Sequence, residues 1–185
     1  NNSETQEDTV LEGPATSHVS RRDFLTKAGA FTLLSAFASS CNKDDDITNP
    51  GGVNLGSGDT GILNYAYALE QLEAAFYIKV LTTPYSGITA SESALLADIR
   101  DHEIAHREFF KNALGSNAIQ SLEVNFSSID FTSRASVLAT AKAFEDLGVS
   151  AYNGAGQLLT SAAYLGLAGK IVSVEARHAA LIRDL

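Results

Sequence analysis

The chain has 185 residues and 45% of them are hydrophobic, enough apolar mass for one packed domain with extensions. A formal net charge of −9 excludes the basic face that nucleic-acid binding needs. One cysteine excludes an internal disulfide. The sequence opens at Asn1 without any Met, and an apolar helical pattern is still running at Leu185, so a longer natural chain is expected.

In chain order, residues 1–19 are polar and acidic without a period, and His18 among them is expected to be inert. Ser20 to Lys27 then reads as a basic n-region with the pair Arg21 and Arg22. Ala28 to Ser40 follows as an uncharged run ending in small residues before Cys41. That run is too short for a bilayer-spanning helix, which needs about 20 residues. Arg21-Arg22 followed by Asp-Phe-Leu resembles a twin-arginine export signal, and the small residues before Cys41 resemble a lipoprotein cleavage box. Ala38 stands where such boxes usually carry Leu. The expectation is a leader over 1–41 with Cys41 lipidated, and a periplasmic or outer-membrane, cell-surface location. The alternative is a secreted protein with an unmodified cysteine. Residues 42–59, acidic and then rich in Gly, Ser and Asn, read as a flexible tether.

From Thr60 the pattern turns helical, and residues 60–185 are expected to form one all-α unit. The first segment runs from Thr60 to Leu81 and stops before Pro84. The second begins at Thr89, where Thr89-x-x-Glu92 matches a capping box, and ends at Leu114 with Gly115 as terminator. The third spans Ser133 to Leu159 and the fourth Ser161 to Leu185. Short connections make antiparallel hairpins of the first and last pairs. The long stretch Ser116 to Ser133 is a crossover between the hairpins.

The hairpins repeat each other. Ala68 to Tyr77 aligns without gaps on Ala143 to Tyr152, matching Glu70 with Glu145 and Tyr77 with Tyr152. Asp101 to Phe110 aligns on Ser173 to Ile182, matching Glu103 with Glu175 and His106 with His178. At about 100° per residue, these charged positions share faces with apolar ones. In the first segment the face holds Leu63, Ala66, Glu70, Ala74, Tyr77 and Leu81. In the second it holds Leu95, Ile99, Glu103, His106 and Phe110, with His102 at its edge. In the third it holds Leu138, Glu145, Val149, Tyr152 and Gly156, and in the fourth Ile171, Glu175, His178 and Ile182. Carboxylates buried without partners are costly or protonated, and two divalent cations would compensate them. Oxygen donors with one imidazole per ion suit iron or manganese better than structural zinc.

These residues resemble the ferritin-like di-iron carboxylate proteins, whose bundles carry a Glu on each of two helices and Glu-x-x-His on the other two. Leu63 to Tyr77 and Phe144 to Ala155 also resemble an exported ferritin-like family described as desiccation-associated. The resemblance implies an antiparallel four-helix bundle with a long crossover between the second and third helices. It also implies a centre of two iron or manganese ions on Glu70, Glu103, His106, Glu145, Glu175 and His178. The activity it implies is oxidation of Fe(II), or reduction of O₂ or peroxide, in envelope stress protection. Metal ions and O₂ or peroxide would be the partners, and a membrane only through a lipid on Cys41. Whether the centre is catalytic stays open; the alternative is a cell-surface structural or stress module whose metal site is vestigial or structural. A 24-subunit cage is disfavoured, since no fifth short helix is seen and a tether would crowd a shell; the oligomeric state, a dimer included, stays open. No cysteine-rich electron-relay segment is present.

Four further residues are weighed beside this set. Tyr77 and Tyr152 are expected either to hydrogen-bond ligand carboxylates or to pack as core aromatics. Glu73 is assigned to the boundary of the site, because its repeat counterpart is Gly148. Asp146 is assigned to a solvated face. His102 to His106 also spells H-E-x-x-H, the zinc-protease signature, with Glu123 a conceivable third ligand. The repeat disfavours that reading, since Val174 stands in the place of His102. His102 is therefore expected to have no part in the site.

Overall fold

The computed structural model describes residues 52–185. The leader, Cys41 and most of the tether lie outside the described residues. Four helices follow: α1 (Gly58–Thr82), α2 (Ala90–Leu114), α3 (Arg134–Gly156) and α4 (Ala162–Asp184), with a single 3-10 turn at Gly115–Asn117 after α2. No strand occurs among the described residues. None of these helices is long and apolar enough to cross a membrane.

Local chemistry sets the helix ends. Thr89 and Glu92 form a reciprocal capping box, with Glu92 N donating to Thr89 Oγ1 at 3.1 Å and Thr89 N to Glu92 Oε2 at 3.1 Å. Arg134, the first residue of α3, donates to the other oxygen of Glu92 at 2.7 Å and so ties the starts of two helices together. Gly115 ends α2 at φ 54°, a conformation that suits glycine. α3 stops at Gly156, three residues short of the expected Leu159. Gly154 and Gly156 weaken its last turn, and Leu158 and Leu159 close it with bonds to Ala155 and Gly156.

The boundary of the tether needs correction. α1 starts at Gly58, and Asp59 belongs to the bundle. Its carboxylate accepts from Thr160 N at 2.8 Å and Ser161 N at 2.9 Å, satisfying backbone donors where the chain turns into α4. Those bonds hold Asp59 below the usual carboxylate range. Further back, Leu55 O accepts from Asn64 Nδ2 at 2.9 Å, so the last residues before α1 are docked.

Two apolar clusters lie at opposite ends of the bundle. One contains Phe76, Tyr77, Val80, Leu96, Ile99, Val137, Phe144 and Ile182. The other contains Leu63, Ala66, Tyr67, Phe110, Leu114, Tyr152 and Ile171. α1 and α4 therefore run from the second cluster to the first, and α2 and α3 run the opposite way. After α2 the chain must travel the length of the bundle before α3 begins, which is the work of the crossover. It follows α1: Ile119 N donates to Asn64 Oδ1 at 2.9 Å and Leu122 N to Gln71 Oε1 at 2.8 Å, and the Phe126 and Phe131 rings then pack on Phe76 at 6.0 and 5.9 Å. Asn64 and Gln71 are buried because they satisfy crossover backbone that has no ladder of its own.

The buried seam differs in register from a straight-helix projection. Val80, Leu96 and Val137 are fully buried, where Leu81, Leu95 and Leu138 were expected and are only half-buried. Leu63, Ala66, Glu70, Glu73, Tyr77 and Val80 alternate steps of three and four, as do Leu96, Ile99, Glu103, His106 and Phe110. This is a seven-residue repeat, the spacing that keeps helices in contact over a gentle left-handed supercoil. A 100° step drifts off such a seam by about 20° per seven residues. Glu73 lies on this seam and is buried.

Candidate metal centre

Between the two apolar clusters every helix presents an acid. Glu70, Glu103, Glu145 and Glu175 each have 0% of their surface exposed, and His178 has 3%. All six residues expected from the repeat meet in this layer. Their donor atoms form two groups within 4.8 Å, each of which could hold a metal ion: Glu70, Glu103, His106 and Glu175, and Glu103, Glu145, Glu175 and His178. Glu103 and Glu175 belong to both groups. They are the Glu of each Glu-x-x-His pair, so the two groups share their central carboxylates.

Both imidazoles turn Nδ1 inward. His106 Nδ1 lies 2.9 Å from Glu175, 3.4 Å from Glu70 and 3.5 Å from Glu103. His178 Nδ1 lies 2.7 Å from Glu103 and 3.4 Å from both Glu145 and Glu175. Yet neither Nδ1, nor either oxygen of Glu103 and Glu175, is aligned in a hydrogen bond. Donor atoms that sit close together but do not bond one another are aimed at common points between them. Anionic oxygens and imidazole nitrogens converging in this way could hold metal cations.

Without a cation the layer redistributes protons. Burial pushes Glu70 well above the usual carboxylate range, and Glu103 and Glu175 nearby push it further, against the opposing pull of His106. Burial likewise raises Glu145 to about 7. Glu103 is also penalised by burial, but the two imidazoles beside it outweigh that and bring it down to about 2. His106 and His178 lose from burial but gain more from the carboxylates around them, and rise to about 12 and about 11. The charge of the acids is thus met by imidazolium ions and by protons on some of the carboxyls.

The tyrosines complete the symmetry of the repeat. Tyr77 on α1 donates its hydroxyl to Glu145 Oε1 on α3 at 2.5 Å, and Tyr152 on α3 donates to Glu70 Oε1 on α1. Each tyrosine fixes the carboxylate of the opposite hairpin and leaves its second oxygen free to face the group. Tyr152 also lines an apolar groove with Leu63, Leu69, Phe109, Tyr164 and Leu167. Elsewhere the layer is closed; the His106 side chain, 13% exposed, is its most open ligand candidate.

Two residues behave differently from expectation. His102 is solvent-exposed and outside both groups, but it is not idle: its Nδ1 lies 2.9 Å from His178 Nε2, and the two rings stack 5.1 Å apart. It holds the outer nitrogen of a histidine whose inner nitrogen faces the carboxylates. Glu73 is 2% exposed, fully inside the seam, and its Oε2 has no hydrogen-bond partner. Burial first, then Glu103, Glu70, Glu145 and Glu175, push its pKa well up. The other assignments stand as read. Asp146 pairs with Arg183 near the surface, and Glu123 is exposed. Neither His102 nor Glu123 joins a metal-capable group, so the zinc-protease arrangement is not assembled among the described residues.

No curated protein matches the chain. The ferritin-like domain family matches residues 58–185, a span that takes in all four helices, the crossover and every residue of the acidic layer. The all-α four-helix bundle agrees with this match. The chain belongs to the ferritin-like domain family.

Proposed function

We propose that this chain is an envelope protein holding two iron or manganese ions in the Glu/His layer and using them in redox chemistry. The observation that carries the reading is the sharing of Glu103 and Glu175 between two groups of potential ligands. Glu103 and Glu175 would serve both ions, Glu70 and His106 would complete one set of ligands, and Glu145 and His178 the other. When bound, such a pair supplies the one-electron steps needed to oxidise Fe(II) or to reduce O₂ or peroxide. The protein's part is positioning and exclusion. Tyr77 and Tyr152 hold the terminal carboxylates, His102 holds His178, and the apolar clusters keep bulk water from the layer. The leader motif and Cys41 support export and a lipid anchor, and the acidic tether would set the bundle off from the membrane.

Anaerobic reconstitution with Fe(II) or Mn(II), followed by elemental analysis, tests the centre. About two ions per chain are expected, falling to one or none in Glu103→Ala, which removes a carboxylate from both groups. Less than one ion in the parent chain, unchanged by the substitution, rejects the reading. A non-enzymatic structural or stress module is the second reading, favoured by the near-complete closure of the layer. It predicts that metal raises the melting temperature without any consumption of O₂ or peroxide.

A further inference from the structure

Glu73 stands apart from the symmetry of the repeat. It sits three residues after Glu70, one turn on along the inward seam of α1. His106 and His178 stand three residues after Glu103 and Glu175, so in α1 a carboxylate occupies the place that an imidazole holds in α2 and α4. In α3 the corresponding residue is Gly148. The two departures fit each other. A Cβ on Gly148 would lie 3.3 Å from Glu73 Oε1, 3.8 Å from its Oε2 and 3.9 Å from Glu175 Cγ. Gly148 thus leaves space on α3 that the Glu73 carboxyl fills, beside the stem of a shared carboxylate.

A carboxyl in that position has little reason to be there for packing alone. Leu would fill the seam without the cost of burying an acid. Among the described residues no hydroxyl reaches Glu73 Oε2 as Tyr77 reaches Glu145 and Tyr152 reaches Glu70. Its Oε2 is buried and unpartnered, in the same condition as the oxygens of Glu103 and Glu175. Glu73 nevertheless lies outside both metal-capable groups. At Gly148 no Cβ occupies the place that the Glu73 carboxyl takes, beside the Glu175 stem.

From this geometry we infer that Glu73 is a seventh metal ligand, a carboxylate that joins the centre by side-chain rotation and makes the two ends of the layer unequal. The inference rests on the metal reading above. Three protein carboxylates and one imidazole would surround each ion in a symmetric layer, and Glu73 adds an oxygen donor on one side only. It would raise the coordination number of the ion it reaches and occupy a position otherwise open to a small molecule.

Co(II) is the probe, since its visible absorption weakens as its coordination number rises. The parent chain, Glu73→Gln, Glu73→Leu and Gly148→Ala are each titrated with Co(II) alone. The parent is expected to bind two ions. Glu73→Leu is expected to bind the weaker ion roughly tenfold less tightly, within the range seen when residues supporting a metal site are removed. Its visible bands should intensify as one ligand is lost. Glu73→Gln should lie between the two, and Gly148→Ala, which presses on the carboxyl, should shift the spectrum in the same direction. Substituting Glu73 removes an unpaired buried acid, so the metal-free variants should melt no lower than the parent. If the parent binds two Co(II) ions and Glu73→Leu binds them with the same affinity and spectrum, Glu73 is only a buried neutral acid and the inference is overturned. If the parent binds less than one ion, the metal reading itself fails and takes the seventh ligand with it.

Discussion

Removing metal should invert the usual pH dependence of a carboxylate-rich bundle. In the metal-free chain Glu145 titrates at about 7 in the fold, against an ordinary value of 4.5. A carboxyl raised in this way contributes stability that is fully present below 4.5 and lost as pH rises through 7. The loss from Glu145 alone is roughly 3 kcal/mol, at about 1.4 kcal/mol per pH unit of separation. Glu70 and Glu73 act in the same direction, being raised further still. His106 and His178, raised to about 12 and about 11, also favour the fold less as pH climbs above 6.5, because the unfolded chain has then released the protons that the fold retains. Glu103 works the other way, but only between about 2 and 4.5. The metal-free bundle should therefore be most stable near pH 4.5–5 and should lose at least roughly 10 °C in Tm by pH 8, the share of Glu145 alone. Thermal melts followed by circular dichroism in chelator, at intervals from pH 4 to 8, measure this. Excess Mn(II) should reverse the slope, because binding must displace those same protons and grows stronger as pH rises. A metal-free chain whose stability is flat or increasing from pH 5 to 8 would refute the proton assignment.

Further outcomes follow from single contacts. His102→Phe removes the partner of His178 Nε2 and should weaken Mn(II) binding by about 10- to 100-fold in calorimetric titration. As His102 is exposed, the metal-free melting temperature should hardly move. Tyr152→Phe strips the hydroxyl from buried Glu70 and should cost about 1–3 kcal/mol in urea unfolding of the metal-loaded protein; a cost near zero would remove the tyrosine from the support of the site. Phe76→Ala empties the centre of the aromatic cluster formed with Tyr77, Phe126, Phe131 and Phe144. It should cost about 3–5 kcal/mol while the metal content of the folded fraction stays unchanged.

Much of this molecule is legible in its sequence, for identifiable reasons. A Glu inside an apolar stripe is conspicuous, and one recurring at the same place in a second hairpin is more so; that pairing located all six residues of the layer. Thr89 with Glu92, and Gly115, marked helix ends because capping is local chemistry. The crossover was visible as length without period, but its path was not, since Asn64 and Gln71 look like ordinary surface amides until their backbone partners are known. Glu73 was assigned to the boundary on one ground, Gly148 in its repeat position; it lies outside both metal-capable groups, but its carboxyl fills the space above that glycine. His102, at the edge of the inward face, was discounted because Val174 stands in its place in the repeat. A residue that supports a ligand from outside has to lie off that face, so the criterion that finds ligands passes over their supports. Asp59 was read with the tether for its composition, though its bonds reach across to the start of α4.

The Asn64 amide group ties two separate stretches of chain with three bonds: Leu55 O and Asn117 O accept from Nδ2, each at 2.9 Å, and Ile119 N donates to Oδ1. With Asp59 gripping residues 160 and 161, it forms a knot at the mouth of the bundle, near the apolar cluster of Leu63 and Phe110. A pull on the segment that enters at Val53 would meet this knot first. The load would pass sideways into the crossover and the turn before α4, and would reach the Glu/His layer only after those bonds had broken. Under load on the entering segment, this knot would act as a mechanical fuse that yields before the spacing of the buried acids changes.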